Sequence, residues 1–196
     1  MQIDDSHLDW FHEETAHNPL AWYYTAETLF RSSEFILGGL QNGPAATRLA
    51  ENGLMDSHYN SYGLLLGYAL ENILKGLWVS KGGVLVDQQN PGKLVRIDGV
   101  ADHNLLPLAR KVGVTLSTGE KDVVNRLSYW ITAAGRYPVP LRAVDMKSRE
   151  VSGRGKVAPG YFSADDWDTA RQITNQLLDE LRDSMYGRPR RVERTD

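Results

Sequence analysis

The stretch GYALENILKGLWVSKGG, residues 67–83, decides the fold. Leu64, Leu65 and Leu66 precede it, and Leu70, Ile73, Leu74, Leu77 and Trp78 follow at helical spacing. Apolar residues on more than one side mark a central helix packed by several neighbours. It is expected to run from about His58 to Lys81, with Gly82-Gly83 stopping it. Yet Glu71, Asn72 and Lys75 sit in its middle. Glu71 lies four residues before Lys75, the favourable order for a side-chain ion pair on a helix. Tyr68, Glu71, Asn72 and Lys75 form one polar strip along an oily cylinder. A charge left alone there would cost on the order of 3–5 kcal/mol, so something polar must answer it. Two readings are open. The pair neutralises itself beside the core while Lys75 extends its stem to water, or the strip faces polar groups such as Arg136 and Tyr137 across a recess.

Working outward, Asn18-Pro19 reads as an N-cap and first helical residue. The helix that follows carries Trp22, Leu29, Phe30 and Ile36, and Gly38-Gly39 is expected to end or fray it. Residues 41–53 read as a linker. Beyond the central helix, β-prone pieces at 84–87 and 93–97 flank Asn90-Pro91-Gly92, a small hairpin signal. Asp102 is placed to cap a short helix over HNLLPLARKVG. Thr118-Gly119-Glu120 opens another through about Arg136, with Val123, Leu127, Trp130, Ile131 and Ala134 as its stripe. Asn125, Arg126, Tyr129 and Arg136 lie on its polar flank, and Pro138 and Pro140 end it. Residues 141–160, rich in Arg142, Lys147, Arg149, Arg154 and Lys156, read as a long loop, functional or disordered. Ser163 and Asp166 form a capping-box pattern ahead of a last helix with Trp167, Ala170, Thr174, Leu177, Leu181 and Met185 inward.

The fold class expected is therefore all-α: a bundle of about five helices with a small β-hairpin insertion. Residues 1–17 form a polar N-terminal segment, 18–187 a single domain, and 188–196 a basic tail. At 196 residues the chain can bury one substantial core. A formal charge of −3 argues against wholesale coating of nucleic acid and leaves room for a local basic patch. The chain has no cysteine, which excludes disulfides, thiolate catalysis and cysteine metal sites. The first residues are acidic and lack the apolar core of a signal peptide, and no uncharged apolar run reaches about 18 residues. A cytoplasmic protein without membrane contact is the expectation. The arginines of the tail read as a solvated extension rather than a phosphate grip.

Generic catalytic fingerprints are absent: no GxSxG, P-loop, HExxH or GxGxxG occurs. His7, His12 and His17, spaced by five, do not share a helical face, so neither metal nor cofactor is expected. His103 is the natural general acid or base, because histidine titrates nearest neutral pH; a capping role at its helix start competes with that. Arg136, in AAGRYPVP, stands at a helix end, where it can cap carbonyls or bind an anion.

The order of GYALENILKGLWVSKGG, then DHNLLPLARKVG, then a helix ending WITAAGRYPVP resembles the HEPN superfamily, the higher eukaryotes and prokaryotes nucleotide-binding domain. The likeness spans about residues 58–140. It implies an up-and-down helical bundle that usually forms a homodimer. Active members of the family set an arginine and a histidine, four to six residues between them, at the dimer seam and cleave RNA without a metal. Others bind RNA or nucleotides, or partner a minimal nucleotidyltransferase-like protein, often in toxin–antitoxin or phage-defence systems. Here no histidine follows Arg136 at that spacing. The one literal match, Arg96 to His103, straddles the hairpin and the next helix. The resemblance thus implies a HEPN-like RNA- or nucleotide-associated protein lacking the usual ribonuclease motif. The alternatives are an active metal-independent ribonuclease with a divergent site, or a non-enzymatic interaction module. The candidate residues are His103, Arg136 and Glu71 for catalysis, and Lys75, Arg136, Tyr137 and Arg142 for phosphate or nucleic acid.

Overall fold

The computed structural model describes residues 8–41, 55–87, 89–98, 100, 103–134, 147–151, 155–158 and 160–187. Arg136, Tyr137, Arg142, Asp102, most of the 41–53 linker and the 188–196 tail lie outside them. In chain order the elements are α1 (Leu8–His17), α2 (Pro19–Gln41), α3 (Met55–Ser80), β1 (Val86–Asp87), β2 (Asn90–Leu94), α4 (Leu105–Lys111), α5 (Thr118–Tyr129) continued by a π-helical turn over Trp130–Ala134, β3 (Arg149–Val151), β4 (Gly155–Val157) and α6 (Ala164–Tyr186). The molecule is an all-α bundle carrying short antiparallel hairpins.

The central helix is where the apolar run placed it. α3 packs against α2, α4, α5, the π turn and α6. Leu66, Leu70, Ile73, Leu74 and Leu77 are buried in full on its several faces. Close approach is possible because three of its residues, Gly63, Gly67 and Gly76, lack a side chain. A Cβ on Gly67 would stand 2.5 Å from Ile131 Cγ2, and one on Gly76 would stand 2.7 Å from Leu181 Cδ2. Both separations are too short for real atoms, so the π turn and α6 press on α3 through these notches. Leu105, Leu127, Ile131 and Leu181 complete the same core.

Local signals explain most boundaries. Asn18 Oδ1 accepts from Leu20 N–H at 3.0 Å, as expected of an N-cap. Ser117 with Glu120 and Ser163 with Asp166 each form a reciprocal capping box. Gly187, in the left-handed conformation at φ 66, closes α6.

Five expectations need correction. Residues 1–17 are not merely a polar lead-in, since Leu8–His17 is helical and lies against β2 and α2. Gly38-Gly39 does not end α2, which runs to Gln41; neither glycine adopts positive φ, and a glycine in a helix costs only about 1 kcal/mol. The first hairpin turns between Asp87 and Asn90, so Asn90-Pro91-Gly92 belongs to β2. Asp87 Oδ1 accepts from Gln89 N–H at 2.9 Å, and this side-chain turn reverses the chain. The stretch 141–160 is not one long loop: Arg149, Glu150 and Val151 pair with Val157, Lys156 and Gly155. Finally, Arg126, read as part of the polar flank of its helix, is buried. No helix among the described residues is long and apolar enough to cross a membrane.

Candidate functional site

The polar strip of α3 divides. Asn72 turns back on its own helix, its Nδ2 donating to the Tyr68 carbonyl at 2.8 Å. Glu71 is buried, and Lys75 Nζ stands 2.7 Å from its Oε1. This is the pairing that the four-residue spacing predicts. The second carboxylate oxygen, Oε2, meets His103 Nδ1 at 2.9 Å. A buried acid is thus held between two basic side chains that are both about a third exposed, 32% for Lys75 and 28% for His103. The charge lies inside, and its partners carry its influence to the surface.

His103 reaches Glu71 from an unusual backbone. Its φ is +60, the left-handed region that non-glycine residues enter rarely, histidine somewhat more readily than most. It is the only such non-glycine residue among those described. The chain accepts this conformation just ahead of α4, where Asn104 takes the N-cap position without a side-chain cap. Leu105 N–H instead donates to Ser128 Oγ of α5 at 3.1 Å. The capping role considered for His103 is therefore not the one it plays; its imidazole is committed to Glu71. The Tyr68 ring meets the imidazole edge to face at 5.8 Å between centroids. Carboxylate and phenol ring together fix the orientation of the histidine, and no bond to its Nε2 occurs among the described residues.

Glu71, Lys75 and His103 share a small cleft of about 50 Å³, with Arg96, Asn104 and Leu108 also on its walls. That is room for a water molecule or two, or for one end of an anion. Arg96 and His103, the pair matched by spacing alone, therefore line one cavity although a hairpin end and a helix start separate them in the chain. The structure brings together Glu71, Lys75 and His103 of the candidate set. Arg136, Tyr137 and Arg142 are outside the described residues. Arg96 was legible only through its spacing to His103.

Chemically, the arrangement offers a carboxylate-oriented imidazole beside cationic side chains. A carboxylate on one ring nitrogen selects the tautomer and leaves the other nitrogen to exchange a proton. Lysine and arginine nearby suit an anionic group in the same space.

A second buried charge looks similar in sequence and differs in kind. Arg126, on α5, donates from Nε to Asp122 Oδ2 at 2.9 Å and from Nη2 to Asp166 Oδ1 at 2.8 Å. Its Nη1 donates to the Tyr161 carbonyl at 2.6 Å and to Asp166 Oδ2 at 3.2 Å. The Phe162 ring covers it, with the guanidinium carbon 4.7 Å from the centroid. Burial works against the charge, but the Asp166 and Asp122 carboxylates outweigh that, so the guanidinium titrates above the ordinary arginine value. Asp166 is also the third helical residue of α6, reciprocating the Ser163 cap, and its carboxylate draws Arg126 of the polar flank inward. On the opposite side, Arg171 of α6 clamps Glu34 of α2, Nε to Oε1 at 2.9 Å and Nη2 to Oε2 at 2.5 Å. Its hydrogen bonds to Glu34 raise its titration point.

Comparison with known proteins finds no matching family model, no matching curated protein and no matching solved structure.

Proposed function

We propose that this chain is a HEPN-like, dimeric protein that binds RNA or nucleotides, with Glu71, Lys75, Arg96 and His103 as its phosphate-handling site. One observation carries the reading: the His103 imidazole is held by a buried Glu71 carboxylate in a cleft that Lys75 and Arg96 also line. In this reading Lys75 and Arg96 attract a phosphate, and His103 exchanges a proton at a ribose hydroxyl or a leaving oxygen. Cleavage would then proceed as general acid–base chemistry, with the cations steadying the charge that develops on phosphorus oxygens. The Arg96–His103 spacing matches the arginine–histidine pattern of active HEPN proteins in number alone, since the pair straddles a hairpin and a helix start rather than the family's usual place. What favours the ribonuclease form over a purely structural module is the carboxylate-held imidazole beside Lys75 and Arg96. The resemblance adds a cytoplasmic, bacterial defence or toxin–antitoxin setting, with a nucleotidyltransferase-like protein as a possible partner.

The test is a digest of single-stranded RNA in the presence of a chelator, alongside filter binding over a range of salt. Wild type is expected to cleave, and His103→Ala to lose about a hundredfold or more of the rate, the usual contribution of a positioned acid or base. Lys75→Ala is expected to weaken binding and flatten its salt dependence. Salt-independent binding, or binding indifferent to Lys75 and Arg96, overturns the reading. Binding without cleavage reduces it to its non-enzymatic form.

A further inference from the structure

The polar cleft is too small for a nucleotide, and it has a larger neighbour. A pocket of about 450 Å³ lies between α1, the start of α2, Asn72 of α3 and Leu94 of β2. Leu8, Phe11 and Thr15 come from one face of α1, and Trp22 supplies an aromatic wall from α2. Trp22 is fixed in place, because its Nε1 donates to the Ala16 carbonyl at 2.8 Å. Phe11 and Leu8 are 62% and 57% exposed, an open apolar rim. The pocket and the cleft share their partition. Asn72 faces one and its helical neighbours Glu71 and Lys75 the other, while Leu94 lines one and the residues after it, Val95 to Ile97, line the other. The Lys75 ammonium spans this partition, 2.7 Å from Glu71 and 5.8 Å from the centre of the Trp22 ring.

Resting on the phosphate-handling reading above, we infer that this pocket is a nucleobase subsite, seating one base against Trp22 and Phe11 while its phosphate reaches Lys75. The charge pattern argues for that occupant over a plain apolar ligand. A cation stands at the junction of an aromatic pocket and a polar cleft, the layout that suits a flat heteroaromatic ring tethered to an anion. Stacking accounts for affinity without demanding one base, since every base presents a π-face. Asn72, spending one amide hydrogen on Tyr68, keeps its carbonyl oxygen and second hydrogen for a base edge.

The experiment titrates the full chain with adenosine 5′-monophosphate and, separately, ribose 5-phosphate. It uses wild type, Phe11→Ala, the pocket-filling Thr15→Trp, and Lys75→Ala. Phe11 and Thr15 are exposed, so neither change touches the core. Wild type is expected to bind the nucleotide about tenfold more tightly than the sugar phosphate, the worth of one stacked base. Phe11→Ala and Thr15→Trp should both erase that preference and leave ribose 5-phosphate binding as it was. Equal affinities in wild type, or a preference that survives both variants, overturn the subsite. If ribose 5-phosphate still binds and Lys75→Ala abolishes it, the phosphate reading stands without the subsite; if neither compound binds, both fall. Phe11→Ala that changes only the sedimentation of the protein would assign the rim to a second copy of the chain and overturn the base.

Discussion

Glu71 and Arg126 are each almost wholly buried, each on a helix, each with an oppositely charged partner four residues away, yet they are built for different ends. Arg126 is closed: two carboxylates, a carbonyl and an aromatic face consume its donors, and of the two carboxylates Asp166 is itself buried while Asp122 stands about a third exposed. Glu71 is open: both of its partners stand a third exposed and border a cleft. A closed network ties α5 to the N-terminus of α6 and has nothing left for a ligand. An open one stores a charge inside and presents its counter-ions outside. Burial alone does not distinguish the two, nor does the exposure of one partner; what differs is that every nitrogen of Arg126 is bonded, whereas His103, a partner of Glu71, has no bond to its Nε2 among the described residues.

The largest expected effect tests the closed network. Arg126→Ala leaves the buried Asp166 carboxylate without its guanidinium and should cost about 3–5 kcal/mol, read as a lowered urea midpoint. Retained stability in that variant would break the comparison, because the site would then not depend on closure. The open network should behave otherwise. His103→Ala leaves Glu71 paired with Lys75 and solvent within reach, so about 1 kcal/mol or less is expected to be lost, part of it returned by relief of the left-handed backbone when glycine is substituted instead. His103→Gly should therefore be at least as stable as His103→Ala and, under the proposed ribonuclease reading, should lose RNA cleavage equally. Comparable unfolding midpoints for Arg126→Ala and His103→Ala would erase the distinction between the two networks. Smaller again, Ser163→Ala removes the cap that presents Asp166 to Arg126 and should cost about 1 kcal/mol. A larger loss would show that cap and ion cluster act as one unit.

The legible part of this molecule was what short-range periodicity encodes. α3, its Glu71–Lys75 pair and the capping box at Ser163 all follow from residues within four positions of one another. The second partner of Glu71 did not. Arg136 and Tyr137 were the expected answer because they end an adjacent helix, and they lie outside the described residues; His103, thirty-two positions on, supplies the observed contact. Nothing local in DHNLLPLARKVG announces that its histidine adopts positive φ and faces α3. The inward turn of Arg126 was hidden for the same reason, since it depends on Asp166, forty positions away. α1 was missed because its apolar residues Leu8, Trp10 and Phe11 remain exposed, so no buried stripe marks it. Each failure is a long-range pairing or an unburied face, where pattern and packing part company.

Tyr62 offers the finest discrimination, being a buried polar group that belongs to neither kind of network. It is wholly buried against Trp167, with ring centroids 4.9 Å apart, and its hydroxyl has no hydrogen-bond partner among the described residues. Burial, and next the nearby Glu34 carboxylate, push its ionisation well above the ordinary tyrosine value. Below the unfolded pKa of about 10, folded and unfolded chains both hold the proton and the hydroxyl contributes nothing pH-dependent. Above it the unfolded chain releases the proton while the folded chain keeps it, so stability falls as pH rises, by up to about 1.4 kcal/mol per pH unit. Tyr62→Phe should remove that slope from the difference between the two proteins. At neutral pH it should change stability by only a few tenths of a kcal/mol, in the stabilising direction if the hydroxyl is truly unanswered. Urea midpoints of wild type and Tyr62→Phe at pH 7 and pH 11 measure both quantities. A loss of 1 kcal/mol or more at pH 7 would mean that the hydroxyl has a partner, making Tyr62 a third closed site alongside Arg126 rather than a bystander to the Glu34–Arg171 clamp.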